Sequence, residues 1–159
     1  MNFLNEKFKS IGQIKFLSLA ALICFVCDLS NMVYLNKYWL VNHITPSYLI
    51  NIQKLAGNDI SHIPSHVLNE YISFLIGTMG TVFTGFLIYH LFVYFRLSKN
   101  KNWAKKYVYG YTFTGAILTM FELTSSPHNS IYWTIVMILT TGAYAYTFLG
   151  LRYFKKLEQ

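Results

Sequence analysis

The stretch FLSLAALICFVCDLSNMVY, residues 16–34, decides the fold. From Phe16 to Cys27 only Ser18 is polar, and the apolar run then meets an acid at Asp28. Extended back to Ile14 and on to Leu35, it reaches the roughly 20 mostly apolar residues that cross a bilayer as a helix. Lys7, Lys9 and Lys15 precede it as they would a signal peptide. No small-x-small cleavage site follows in 28–34, so the segment is expected to stay as a span. An acid inside such a helix costs roughly 2.5 to 3.5 kcal/mol on insertion scales, so it faces a cavity, a partner or a pathway. Asp28 is therefore the leading candidate functional residue.

Three further segments have the same character: about Val67 to Phe95, Lys106 to Leu123, and Ile131 to Phe154. Apolar residues make up 54% of the 159 positions and charged residues 12%, about half the charged share of a soluble domain. The sequence predicts an all-α, polytopic membrane four-helix bundle, one four-span domain over residues 1–159 with no separate soluble part. Lys7, Lys9, Lys15, Arg96, Lys99, Lys101, Lys105, Lys106, Arg152, Lys155 and Lys156 fall on one predicted side, with only Lys37 and Lys54 opposite. Basic short loops stay cytoplasmic, which predicts both termini inside and accounts for the +7 charge without nucleic acid. Tyr34, Tyr38, Trp39, Tyr132 and Trp133 would mark the outer interface; Tyr94, Trp103, Tyr107 and Tyr153 would mark the inner one. In the long outer connection Thr45 caps, Pro46 starts and Gly57 ends a short helix. Its Tyr48, Leu49, Ile52, Leu55 and Ala56 would form the apolar face of an amphipathic interfacial helix.

The chemistry rests on few residues. In the third segment Thr112, Gly115, Thr119 and Glu122 form a narrow small and polar stripe that ends in a second acid. Thr134, Thr141 and Ala145 have similar spacing in the fourth. Glu70 opens the second segment, where a carboxylate also complements the helix dipole. Cys27-Asp28-Leu-Ser30 echoes Phe121-Glu122-Leu-Thr124, which places Asp28 and Glu122 at matched depth near the outer face. With Glu70 they would line one acidic cavity mouth, where like charges push one pKa up. Asp28, Glu122, Glu70, Thr119 and Thr112 are thus the expected ligand-binding set, with hydrogen bonds that merely lock helices as the alternative.

Cys24 and Cys27 form a CxxC on one helix face, either as buried thiols or as the redox pair of a quinone-linked thiol-disulfide oxidoreductase. His62 and His66 flank Pro64 without a supporting cluster, and His43 and His128 are likewise assigned to the outer side. No metal or other cofactor is expected. His90 is the sole histidine inside a span, with no facing partner for haem. Gly77, Thr81 and Gly85 permit close helix approach, within the chain or with an oligomeric or complex partner.

Several of these features resemble the EXPERA group of four-helix membrane proteins, the sigma-2 receptor and emopamil-binding group. They are the acid closing the first span in Cys27-Asp28-Leu29, the acid opening the second in Leu68-Asn-Glu70-Tyr71, Tyr109 to Gly115 running on to Glu122, and Ile131-Tyr-Trp133 opening the fourth. The resemblance implies a membrane-facing cavity for sterol-like or cationic amphiphilic ligands, with Asp28 and Glu70 as its carboxylates. The second segment lacks that group's proline, the fourth its Asn and Trp, and no histidine supports an isomerase acid/base pair. A lipid-linked sugar flippase of the GtrA type is a second resemblance, through Lys15-Phe-Leu17 and Asp28, and a structural subunit of a membrane complex a third possibility. The sequence thus predicts binding, transport or conversion of a lipophilic ligand by an integral membrane protein.

Overall fold

Gly12, with φ at +75°, divides the N-terminal helical run into α1 (Asn2–Ile11) and α2 (Gln13–Tyr34). The structure is a computed structural model and describes residues 2–36, 40–125 and 131–157; Lys37, Tyr38, Trp39 and His128 lie outside them. There follow α3 (Leu40–His43), α4 (Pro46–Leu55), α5 (Ser65–Ser98), α6 (Asn102–Ser125) and α7 (Ile131–Leu157). Among the described residues these are six helices of ten residues or more and one four-residue turn.

Local chemistry sets the helix ends. Asn100 takes the left-handed conformation at φ 58° after α5. Its N–H donates to Leu97 O at 2.8 Å and that of Lys101 to Arg96 O at 3.1 Å, the paired bonds of a Schellman cap. Gly57, at φ +85°, ends α4 in the same way, with bonds to Lys54 O and from Asn58 to Gln53 O. The Thr45 hydroxyl accepts from Tyr48 N at 3.2 Å and Pro46 occupies the first turn, so α4 begins where its cap residues dictate.

Two expectations are corrected here. The four-span, four-helix bundle gives way, among the described residues, to a six-helix architecture with three helices long and apolar enough to cross a membrane. These are Gln13–Tyr34, Ser65–Ser98 and Ile131–Leu157. The expected third span, α6, falls short because Lys105, Lys106 and Glu122 join a run of tyrosines, threonines and glycines between Tyr107 and Thr119. The amphipathic outer-loop helix is not identified either. α4 fully buries none of its residues, and of its expected apolar face Tyr48, Ile52 and Leu55 are exposed while Leu49 is half-buried.

The chain forms two compact units, residues 1–30 with 87–159 and residues 31–86. In the first, the buried side chains follow helical spacing: Phe16, Leu17, Ala20, Ala21, Cys24, Cys27 and Asp28 on α2, and His90, Val93, Tyr94 and Leu97 on α5. Thr140, Tyr144, Thr147, Leu151 and Phe154 continue the pattern on α7. Phe8 anchors α1 among the rings of Phe16, Tyr146, Tyr153 and Phe154, at centroid distances of 5.3 to 6.5 Å. The glycine at 150 leaves room for the Phe16 ring, which a Cβ there would meet. Along α6 and α7, the Tyr144 ring lies 3.1 Å from where a Cβ on Gly115 would stand, and Thr141 donates to Thr119 at 2.8 Å.

In the second unit Tyr34, Leu40, Leu68 and Ile72 are buried, and Gly80 admits the Asn36 amide to within 2.8 Å of a would-be Cβ. Only 6% of the most apolar window of α5 is buried, against 39% for α2 and 33% for α7.

Candidate functional site

Asp28 lies on the buried stripe of α2, one position after Cys27 and four after Cys24, so the helix period that builds the core also carries its carboxylate inside. Four donors converge on it. His90 Nδ1 donates to Oδ2 at 2.6 Å and the Tyr94 hydroxyl to the same oxygen at 2.5 Å. Tyr111 donates to Oδ1 at 2.6 Å and Tyr144 at 2.7 Å. A carboxylate offers about four lone-pair sites, and each oxygen here accepts two bonds, so the protein itself fills that capacity.

The partners come from three helices. His90 and Tyr94 share a face of α5 at i, i+4, Tyr111 comes from α6 and Tyr144 from α7. A carboxylate only accepts, so the His90 proton facing it sits on Nδ1; Nε2 then lies 2.9 Å from the Tyr107 hydroxyl. Tyr107 is only part-buried, and the line Asp28–His90–Tyr107 runs from the buried carboxylate toward the surface. Ring contacts hold the imidazole from two sides, with Tyr111 at 4.4 Å and 82° and Tyr107 at 5.7 Å and 82°, both edge to face.

The other expected site residues are not among the four donors to Asp28. Glu122 is half-buried on α6, eleven positions beyond Tyr111, which at the α-helical rise is about 16 Å along the axis from the level of Asp28. Glu70 is exposed and belongs to the 31–86 unit. Thr112 is buried and donates to Val108 O in its own helix at 2.7 Å; Thr119 donates to Gly115 O at 2.9 Å and accepts from Thr141. The stripe ending at Glu122 thus borders α7. Cys24 and Cys27 are free, buried thiols, and Cys24 donates to the Thr147 hydroxyl at 3.9 Å. No group of three or more His, Cys, Asp or Glu among the described residues is placed to hold a metal.

His90 and the four tyrosines escape a reading by motif. Tyr94 and Tyr107 look like interfacial anchors, Tyr111 and Tyr144 lie within apolar segments and belong to no motif, and a lone intramembrane histidine has no sequence partner. The available clue is the i, i+4 pairing of His90 with Tyr94 and of Tyr107 with Tyr111, which gives two polar helix faces for one buried acid.

An apolar groove of about 650 Å³ runs beside this centre, lined by α2 and the C-terminal part of α5. Ala21, Leu22 and Phe25 face Ile88, Leu91, Phe92 and Phe95 across it, and Tyr94 contributes to its wall while its hydroxyl is committed to Asp28.

No family model matches the chain, and no curated protein or solved structure does. The resemblance to the EXPERA group is corrected accordingly. It rested on short acid- and aromatic-centred fragments that apolar helices share readily and on a four-span plan; the helices here are six, with three candidate spans.

Proposed function

We propose that this multi-pass, all-α membrane protein binds a lipophilic ligand without catalysing its conversion, and that the ligand lies in the groove between α2 and α5. The observation that carries the reading is the groove itself: almost wholly apolar, formed by two helices apolar enough to cross a membrane, and walled by Tyr94 of the Asp28 cluster. In this reading Asp28 does not meet the ligand. Its acceptor capacity is filled by His90, Tyr94, Tyr111 and Tyr144, and it acts by fixing the groove wall through Tyr94. Thr119 serves the α6–α7 seam, the Thr112 hydroxyl is committed to its own helix, and Glu70 and Glu122 stand outside the ligand contact.

The test is the lipid content of the full chain purified in a mild non-ionic detergent, read by native mass spectrometry. Ala21→Phe places a ring on the groove floor and is expected to reduce co-purifying lipophile several-fold, while Leu139→Phe on exposed α7 leaves it unchanged. Equal lipid in all three proteins would remove the groove from the function.

A second reading concerns partners. A Cβ at Gly77 or Gly85 would meet nothing within 4 Å, so the Gly77, Thr81, Gly85 stripe is unused at its glycines within the chain. We propose it as the seam for a neighbouring helix in an oligomer or membrane complex.

A further inference from the structure

A second cavity, separate from the groove, opens where α2 and α6 begin and α7 ends. Its volume is about 340 Å³, and its lining includes Lys105 and Lys106 of α6 and Lys155 of α7. Gln13 and Asn102, the first residues of α2 and α6, add polar groups. Beneath them lie Leu17, Leu151 and Phe154, all buried members of the core. None of the residues lining this cavity is acidic. The start of α6 also brings the positive end of a 24-residue helix to its edge. Lys155 is steered by the ring of Tyr109, over which its Nζ sits at 5.7 Å.

Three cations around one cavity with no acid in its lining are the complement of an anionic head group. The location agrees with an amphiphile: Gln13 opens one membrane-crossing helix and Lys155 lies in the last turn of another, so the cavity sits at the depth of lipid headgroups. We infer that this cavity is a binding site for the head group of an anionic phospholipid, with its phosphate held by Lys105, Lys106 and Lys155.

The experiment uses the full chain in dodecyl maltoside and native mass spectrometry, with dioctanoyl phosphatidylglycerol, dioctanoyl phosphatidylcholine and inorganic phosphate as probes. Phosphatidylglycerol is expected to bind in preference to phosphatidylcholine. Affinity should fall at least about tenfold in Lys105→Gln/Lys106→Gln/Lys155→Gln, since each basic residue at a membrane surface contributes several-fold attraction. It should be kept in the corresponding arginine triple and in Lys9→Gln/Lys99→Gln/Lys101→Gln, which removes the same charge outside the cavity. Equal losses in the two glutamine triples would overturn the site in favour of diffuse attraction, and equal binding of the two lipids would overturn headgroup recognition. Displacement of phosphatidylglycerol by an equimolar amount of inorganic phosphate would assign the site to a soluble phosphate and overturn the lipid. If the glutamine triple fails to fold, Lys155→Gln set against Lys99→Gln decides the same question, and equal affinities in that pair overturn the site.

Discussion

At Asp28 the balance between cost and compensation can be followed atom by atom. A buried carboxylate is tolerable only when its lone pairs are occupied, and His90, Tyr94, Tyr111 and Tyr144 occupy them from three helices. Replacing Asp28 by Asn keeps the shape but leaves one acceptor oxygen and presents an NH2 to two donors. The expected cost is about 1 to 3 kcal/mol, because hydroxyls that donated to the acid must turn to accept from the amide. Tyr94→Phe removes a single donor and should cost about 1 to 2 kcal/mol. Thermal unfolding in detergent followed by circular dichroism checks both; an Asp28→Asn protein as stable as the parent would mean the network adds nothing net. The sequence marks Asp28 as the residue to explain, since an acid within an apolar run is visible without a structure. It does not mark the partners, because Tyr94 near a helix end looks the same whether it anchors in the interface or turns inward to a carboxylate, and Tyr111 and Tyr144 belong to no motif. For the same reason Glu122, which reads as the twin of Asp28, stands about 16 Å further along α6.

Among the helices, glycines separate the seams that are packed from those that are open. The Phe16 ring fills the space a Cβ at Gly150 would take, and Phe16 is wholly buried beside Phe8, Tyr146 and Phe154. Gly150→Ala should therefore destabilise the fold by about 1 to 3 kcal/mol through overpacking. At Gly77 the same substitution meets open space and should instead stabilise the isolated chain by up to about 1 kcal/mol, the helix-propensity gain of Ala over Gly. Unfolding midpoints of the two variants should move in opposite directions. Crosslinking adds a second readout for Gly77→Leu, which should abolish any dimer if the stripe is a partner seam. The sequence pattern recognises Gly77 and Gly85 through their spacing and passes over Gly150, because small-xxx-small spacing reports where helices are able to approach and not where they do. Helix α6 shows the related limit. Its residues 106–123 are apolar enough to read as a span beside their neighbours, yet Lys105, Lys106, Glu122 and the hydroxyls between them leave it short of the other three.

For the whole molecule, the two units differ in what holds them. The unit of residues 1–30 and 87–159 contains the aromatic core and the carboxylate network, whereas residues 31–86 bury only Tyr34, Leu40, Leu68 and Ile72 among their described apolar side chains and include α4, which fully buries none of its residues. Stability follows buried contact, so the two should open at different free energies. In hydrogen exchange of the detergent-solubilised protein, amides of 20–28, 90–97 and 140–151 are expected to be the slowest. Those of α4 and the following connection at 56–64 should exchange first, and a protease should cut there before anywhere else in the described residues. Asp28→Asn supplies the discriminating arm: loss of the network lowers protection of the first unit and leaves exchange in 46–64 unchanged, since no bond to Asp28 comes from that segment. A uniform loss of protection along the chain would show instead that the two units unfold as one, and the distinction between a network-held unit and a thinly packed one would fall.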